Sequence, residues 1–189
     1  SRSVYRKKPY KKNLFIFGLS FGFGFYLSGV SWITNSLTFD ENFKILIPFA
    51  LILIPLFLGL FLGLTTLVIG PYLKLDFSSL LMFCACFAFS DYLRANLLSG
   101  FPWNLWAYST SSFNEILQII NLIGLYAYNL FVITIFCMPV IFFFKISKIK
   151  KLFFIISTCL IIVLLFIYGN YKVNENKEIL ESSNDKIYV

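Results

Sequence analysis

Apolar residues in this chain fall into long runs, separated by short polar or basic segments. Five of these runs approach the roughly 20 residues that an α-helix needs to cross the hydrocarbon core of a bilayer. They lie at 13–37, 45–70, 77–98, about 124–144 and 152–169. The pattern therefore predicts an all-α membrane protein, a polytopic bundle of about five transmembrane helices.

The fourth run is preceded by a stretch that is less uniformly apolar, and residues 113–144 are too long for one straight span. On a continuous helix, Gln118 and Asn129 fall within roughly 20° of each other, with Asn121 about 60° away. We predict an interfacial or partly re-entrant start and then a span from about Gly124. The polar face should turn inward and make interhelical hydrogen bonds.

Small residues recur every four positions on two strips of the first span and in one glycine pair of the second. The first strip is Ser20, Gly24 and Ser28, the second is Gly18 and Gly22, and the pair is Gly59 and Gly63. Small residues let helices approach closely in membranes, so these positions predict helix packing. A lipid chain against such a face is the alternative, and we favour packing.

The composition agrees with a membrane protein and narrows the possible chemistry. The chain is 59% hydrophobic and 13% charged, with a mean hydropathy of +0.81. It has no histidine, which excludes a Ser-His-Asp triad and a histidine-based zinc site within these residues. All four cysteines lie inside apolar runs, where thiols are unreactive. We therefore expect no metal site and no cofactor.

The net charge of +7 is concentrated in two basic clusters, 1–12 and 145–151, that flank apolar runs. Such clustering is typical of membrane topology and does not indicate nucleic-acid binding. Four spans between the clusters place both on the cytoplasmic side, and a fifth places the C-terminus outside. The alternative for the first cluster is contact with anionic lipid. We prefer the positive-inside interpretation.

The most informative polar segment follows the third run. Asp91 and Arg94 are three residues apart, so they share one helix face, and a Gly-Phe-Pro-Trp sequence follows at 100–103. Charged residues at membrane depth are candidates for function. The alternative, a structural pair at the helix end, is the one we favour for Asp91 and Arg94. For Trp103 and Tyr108, an interfacial aromatic belt and a lipid portal are equally good interpretations.

Several of these segments resemble bacterial apolipoprotein N-acyltransferases. The resemblance rests on Gly-Phe-Gly-Phe-Tyr-Leu-Ser-Gly-Val-Ser-Trp-Ile at 22–33, Asp-Tyr-Leu-Arg at 91–94, Ser-Gly-Phe-Pro-Trp-Asn at 99–104, Tyr-Ser at 108–109 and the run 119–131. It covers nearly all of 13–169. Asp91 stands where that family usually has Glu, and Ala107 stands where Gly is common.

The resemblance implies an integral enzyme of the bacterial inner membrane. The intact enzyme would move an acyl chain from a phospholipid onto a cysteine and then onto the N-terminal amine of a diacylglyceryl-modified apolipoprotein. Its Glu-Lys-Cys triad lies in a nitrilase-like domain, and no residue here matches that triad. The catalytic residues are thus expected outside this chain. Asp91, Arg94, Trp103 and Tyr108 are expected to lie near the lipid substrates, in a monomeric protein.

The resemblance also implies a domain plan. It consists of a cytoplasmic arm at 1–12, a helix bundle at 13–169, and a linker at 170–189 that ends in the first strand of an extracytoplasmic α/β domain, near Ile187. The chain alone is then expected to be inactive. A non-enzymatic scaffold or a small transporter is the alternative function, and the lack of an internal repeat counts against transport.

Overall fold

A computed structural model describes residues 10–97, 100 and 102–184. Within these residues all regular structure is helical, as predicted, and none forms a strand. The strand predicted at 187–189 lies outside them. The chain divides into two compact units, Ser1–Leu105 and Trp106–Val189.

The first unit contains three long helices, joined by short 3-10 segments. These are α1 (Tyr10–Val30), α2 (Ile47–Ile69) and α3 (Phe77–Asn96), with 3-10 helices at Ser31–Thr38, Glu41–Leu46 and Gly70–Tyr72. The second unit contains the 3-10 helix Trp106–Thr110, the short helices α4 (Asn114–Leu117) and α5 (Ile120–Ile123), α6 (Leu125–Cys137), the 3-10 helix Met138–Phe143 and α7 (Lys148–Asn184).

Within the described residues, four helical segments are long and apolar enough to cross a membrane. They are Tyr10–Thr38, Glu41–Tyr72, Leu125–Phe143 and Lys148–Lys177. The protein is therefore a multi-pass membrane protein, but five spans are not confirmed. α3 forms where the third span was predicted and yet is not among the four, because serines at its start and the Asp91–Arg94 pair at its end lower its hydropathy.

α7 extends well beyond the predicted end of the last span at Gly169. At 1.5 Å per residue, its 37 residues measure about 55 Å, whereas the bilayer core is about 30 Å thick. The polar part of α7 therefore extends past the hydrocarbon. The segment predicted as a linker is helical as far as Asn184, and its role as a linker stays a prediction.

The second strip of small residues in α1 is the one that packs. Leu14, Gly18, Gly22, Tyr26 and Val30 are buried, one every four residues. A Cβ atom added to Gly22 would lie 2.8 Å from the Cα of Gly59, and one added to Gly59 would lie 3.0 Å from the backbone nitrogen of Phe23. The two helices touch through bare backbone here, as the glycine spacing predicted.

The strip of Ser20, Gly24 and Ser28 was predicted wrongly as a packing face. All three residues are exposed, and a Cβ atom on Gly24 would meet nothing within 4 Å. The physical reason is that Gly18 and Gly22 already take up the contact with α2. A helix packs one stripe closely against a given neighbour, and the opposite stripe then faces away.

Two hydroxyl groups tie the three long helices together. The Oγ1 atom of Thr66 in α2 donates to the carbonyl oxygen of Leu14 in α1 at 2.9 Å. The Oγ atom of Ser90 in α3 donates to the carbonyl oxygen of Phe61 in α2 at 3.2 Å. Side-chain hydrogen bonds of this kind add to packing where no water competes, so they help to hold α1 and α3 against α2.

The start of α3 is set by a side-chain cap. Asp76 accepts a hydrogen bond from the backbone nitrogen of Ser79 at 2.8 Å, and the Ser79 hydroxyl accepts one from the backbone nitrogen of Lys74 at 3.0 Å. The bonds from Ser79 hold the pKa of the Asp76 carboxyl below its usual value. This cap sets where α3 begins and hence which residues lie in its last turn.

Substitution of the buried glycine should separate helix packing from helix propensity. We expect Gly59→Val to lower the free energy of unfolding by about 1–3 kcal/mol, because the new side chain overlaps the backbone of α1. Gly24→Val is the matched control, since it adds the same β-branched residue to a helix in open space. Thermal unfolding in detergent micelles measures both, and equal losses would contradict this packing.

Candidate functional site

The last turn of α3 carries a buried ion pair. The Nη2 atom of Arg94 lies 3.1 Å from Oδ1 of Asp91, and both residues are only 2% exposed. The i, i+3 spacing puts the two side chains on one face, as the sequence predicted. A buried charge is costly unless it is both paired and hydrogen-bonded, so the other contacts of Arg94 decide whether the arrangement is stable.

Arg94 makes two further contacts, each with a different segment of the first unit. Its Nη1 atom donates to the carbonyl oxygen of Trp103 at 2.8 Å. Its guanidinium carbon lies 5.1 Å from the centroid of the buried Tyr26 ring of α1, a cation–π distance. The Arg94 side chain thus joins the end of α3, the loop after it and α1.

The loop held by Arg94 has an unusual backbone. Gly100 and Asn104 both have positive φ angles, of 67° and 62°, a region that suits Gly and tolerates Asn. The Asn104 side chain lies against Gly29 of α1, where a Cβ atom would overlap it. The Trp103 ring lies 5.0 Å from that of Trp32 and is 51% exposed. The backbone of the loop is therefore held in place, while about half of the Trp103 side chain is exposed.

These positions separate the four predicted site residues into two kinds. Asp91 and Arg94 are enclosed, and Arg94 contacts Tyr26 and Trp103. The choice between a structural pair and a contact with lipid stays a prediction for these two residues. Trp103 and Tyr108 are about half exposed, and their proximity to lipid stays a prediction.

In the second unit, α6 fixes the 3-10 turn that carries Tyr108. The Oδ1 atom of Asn129 accepts a hydrogen bond from the backbone nitrogen of Ala107 at 2.9 Å. The hydroxyl groups of Tyr128 and Thr110 are 2.6 Å apart. Asn129 and Tyr128 are both fully buried, whereas Tyr108 is 45% exposed. The turn is bonded to α6 by two adjacent residues and leaves the Tyr108 ring outside.

The inward polar face predicted for Gln118, Asn121 and Asn129 is wrong for two of the three. Asn129 is buried, and its Oδ1 atom accepts a hydrogen bond from the backbone of a turn. Gln118 bonds the carbonyl oxygen of Asn114 in its own turn, and Asn121 is exposed. The reason is Gly124, whose φ of +80° ends α5 and lets α6 begin at Leu125. Angles counted along one continuous helix do not hold across such a break. The predicted start of the span near Gly124 was right, since α6 begins at Leu125.

Tyr26 is the contact that the sequence reasoning missed. It lies on the buried every-fourth strip of α1 together with Gly22 and Val30. A tyrosine on a strip of small and aliphatic residues was the available signal, because its ring can pack while its face accepts a cation. Nothing in the sequence alone identified Arg94 as that cation.

The arrangement holds backbone and rings in place. Across residues 10–97, 100 and 102–184, no three His, Cys, Asp or Glu side chains are grouped closely enough to hold a metal ion. What the site can do chemically is position a loop at the end of α3.

Comparison with known proteins identifies relatives of this chain. Residues 3–138 match the family model described as the apolipoprotein N-acyltransferase N-terminal domain. The apolipoprotein N-acyltransferase of Rickettsia typhi is 32% identical over 162 residues, which are 85% of this chain and 32% of that protein. That of Brucella melitensis is 31% identical over 123 residues, 65% of this chain and 23% of the relative. The chain thus spans about a third of the first of these relatives. No solved structure matches.

Removal of one partner of the buried pair should be far more damaging than removal of an exposed partner at the same spacing. We expect Arg94→Met to lower the free energy of unfolding by about 3–5 kcal/mol, because Asp91 is left charged and enclosed. The double variant Asp91→Leu with Arg94→Met should lose less than the single one.

The control is Lys44→Met. Lys44 and Glu41 form an exposed i, i+3 pair at 2.6 Å, and such pairs contribute about 0–1 kcal/mol. Unfolding in micelles, followed by tryptophan fluorescence, measures all three variants. If Arg94→Met is no worse than Lys44→Met, the buried pair does not stabilise the fold.

Asn129→Leu should loosen the turn that carries Tyr108. The substitution leaves the Ala107 N–H without its acceptor in a buried position, which costs about 1–3 kcal/mol. Hydrogen exchange at the Ala107 amide should become faster. Asn121→Leu makes the same change at an exposed position and should leave that amide unchanged. An equal effect of the two variants would mean that the Asn129 hydrogen bond does not hold the turn.

Proposed function

Because the chain belongs to the apolipoprotein N-acyltransferase family, as its N-terminal membrane domain, we propose that the intact protein completes lipoprotein maturation. It transfers an acyl chain from a phospholipid to the amino group of the N-terminal, diacylglyceryl-modified cysteine of an apolipoprotein. The chain covers about a third of the first relative's length, which leaves room elsewhere for the nitrilase-like domain and its Glu-Lys-Cys triad. On this proposal the chain alone is inactive.

The role of the chain in this reaction is to anchor the enzyme and to position lipid. The observation that carries this role is the hydrogen bond from Arg94 to the Trp103 carbonyl oxygen. It holds a half-exposed tryptophan at the end of a membrane helix, where an acyl chain or a glycerol ester could lie against the ring. Holding a reactant in place can contribute several powers of ten to a rate, and a transfer between two lipids depends on such placement.

We further propose that α3 is the fifth span and that the protein lies in the inner membrane with its N-terminus in the cytoplasm. Without α3, only three spans would lie between the two basic clusters, and an odd number would put the clusters on opposite sides of the membrane. Counting α3 restores the positive-inside pattern. Its 20 residues measure about 30 Å, the thickness of the hydrocarbon core, and its two late charges neutralise each other. The C-terminus is then extracytoplasmic, and the protein acts as a monomer.

An acylation assay tests the proposed reaction. Purified chain is compared with a version extended through the following domain, with a diacylated lipopeptide as acceptor, a phospholipid as donor and the mass of the product as readout. We expect product only with the extended form. No product from a well-folded extended form would overturn the proposed reaction, and product from the chain alone would relocate the chemistry into residues 1–189.

Trp103→Ala in the extended form tests the positioning role. The variant keeps the carbonyl oxygen that Arg94 binds and removes the half-exposed ring with its contact to Trp32, so the loop should remain in place at a small cost in stability. We expect kcat/KM for the phospholipid donor to fall by up to about 10²-fold, a larger change than the small drop in unfolding temperature explains. Trp106→Ala is not a suitable control because that ring packs on Phe136, so Phe113→Ala, at an exposed ring, serves. If the Trp103 variant and the parent are equally active, the Trp103 ring does not position the substrate.

A further inference from the structure

We propose that the segment 145–151, here named the lysine turn, binds the headgroups of anionic phospholipids. It joins the 3-10 helix Met138–Phe143 to α7 and carries Lys145, Lys148, Lys150 and Lys151 within seven residues, with no acid among them. This inference is independent of the proposed acyl transfer. It requires only that the protein lies in a membrane, which the four apolar spans establish.

The charge of the lysine turn is not compensated within its own unit. Lys145, Lys148 and Lys150 are exposed, while the Nζ atom of Lys151 donates to the carbonyl oxygen of Phe142 at 2.7 Å. In the described part of this unit, the single ion pair is Lys172–Glu175, in the C-terminal half of α7.

Both described carboxylates of the unit lie far along α7 from the lysine turn. Glu175 is about 40 Å from Lys148 along the axis of the helix, at 1.5 Å per residue. The backbone of Glu115 touches Gly169, which is about 30 Å from Lys148 by the same measure. The Debye length at physiological salt is only about 8 Å. No described carboxylate of this unit therefore lies near the four lysines.

The helix geometry makes this end of the unit still more positive. α7 begins at Lys148 and has no acidic residue in its first turn. The N-terminus of a helix carries the positive end of its macrodipole, so acids are favoured there and lysines are not. At the start of α7 the backbone N–H of Lys150 donates to the Ser147 hydroxyl and that of Lys151 to the Ser147 carbonyl oxygen, so the lysine side chains supply the contacts to a phosphate. The local sequence is thus unfavourable for an isolated helix and favourable for one with an anion at its start.

The neighbouring side chains identify the anion as part of a lipid. The turn lies between the spans Leu125–Phe143 and Lys148–Lys177, so it must sit where hydrocarbon gives way to water. Phe143 and Ile149, beside the lysines, are 75% and 81% exposed. Apolar side chains that enter the acyl region, next to lysines that reach upward to phosphate, form an interface for a negatively charged leaflet. A soluble phosphate would use only the lysines.

Native mass spectrometry of the full chain, purified in detergent, tests this inference. Phosphatidylglycerol and phosphatidylethanolamine with identical acyl chains are the probes. The test variant is K145Q/K148Q/K150Q, and the matched control K44Q/K74Q/K172Q removes the same charge elsewhere. Residues 1–12 are unchanged in both, so their contribution cancels. With about fivefold per lysine near a charged surface, the test variant should bind phosphatidylglycerol about a hundredfold more weakly, and the control should change less than threefold.

Any one of four results would overturn the inference. Equal losses in the test and control variants would show an effect of net charge alone. An equal loss of phosphatidylethanolamine would show that the variant has lost its fold or an apolar contact. Displacement of phosphatidylglycerol by millimolar inorganic phosphate would indicate a site for a soluble anion. The variant K145R/K148R/K150R keeps the charge and should bind as the parent does, and its failure to do so would also count against the inference.

Discussion

The first unit depends on one constraint: a guanidinium group has been withdrawn from water inside a protein that is itself surrounded by lipid. Enclosing a charge costs several kcal/mol unless the charge is paired and hydrogen-bonded. Arg94 meets this cost with a carboxylate one turn back, a carbonyl oxygen in the following loop and a tyrosine ring on α1. Since these partners come from three segments, the charge can be buried only when all three are in place.

The glycine contact between α1 and α2 makes that arrangement possible. Gly22 meets Gly59 backbone to backbone, and Tyr26 is the next residue along the same buried strip. Close approach of the two helices therefore places the tyrosine ring where α3 brings Arg94. The hydroxyl of Ser90, one residue before Asp91, bonds α3 to α2. Packing by small residues and burial of a charge are thus two parts of one structure.

The sequence predicted those features that depend on local spacing. Asp91 and Arg94 lie on one face because they are three residues apart, and α6 begins after Gly124 because a glycine with positive φ ends the preceding turn. Prediction from the sequence failed where the result depends on which helix packs against which face. Ser20, Gly24 and Ser28 have the same spacing as the strip that packs, and only the position of α2 distinguishes the two. Asn129 binds a turn because the helix assumed for Gln118 is broken, and Tyr26 could not be matched to Arg94 without the fold.

The central claim is that Arg94 holds the loop after α3 through the Trp103 carbonyl oxygen. Hydrogen exchange followed by mass spectrometry, on Arg94→Met and the parent in the same micelles, measures this directly. If the claim is right, amides at 103–105 exchange much faster in the variant at times when α1 and α2 are still protected. Equal protection of 103–105 in the two proteins would contradict the claim, as would an increase at 103–105 no larger than the increase in α1 and α2.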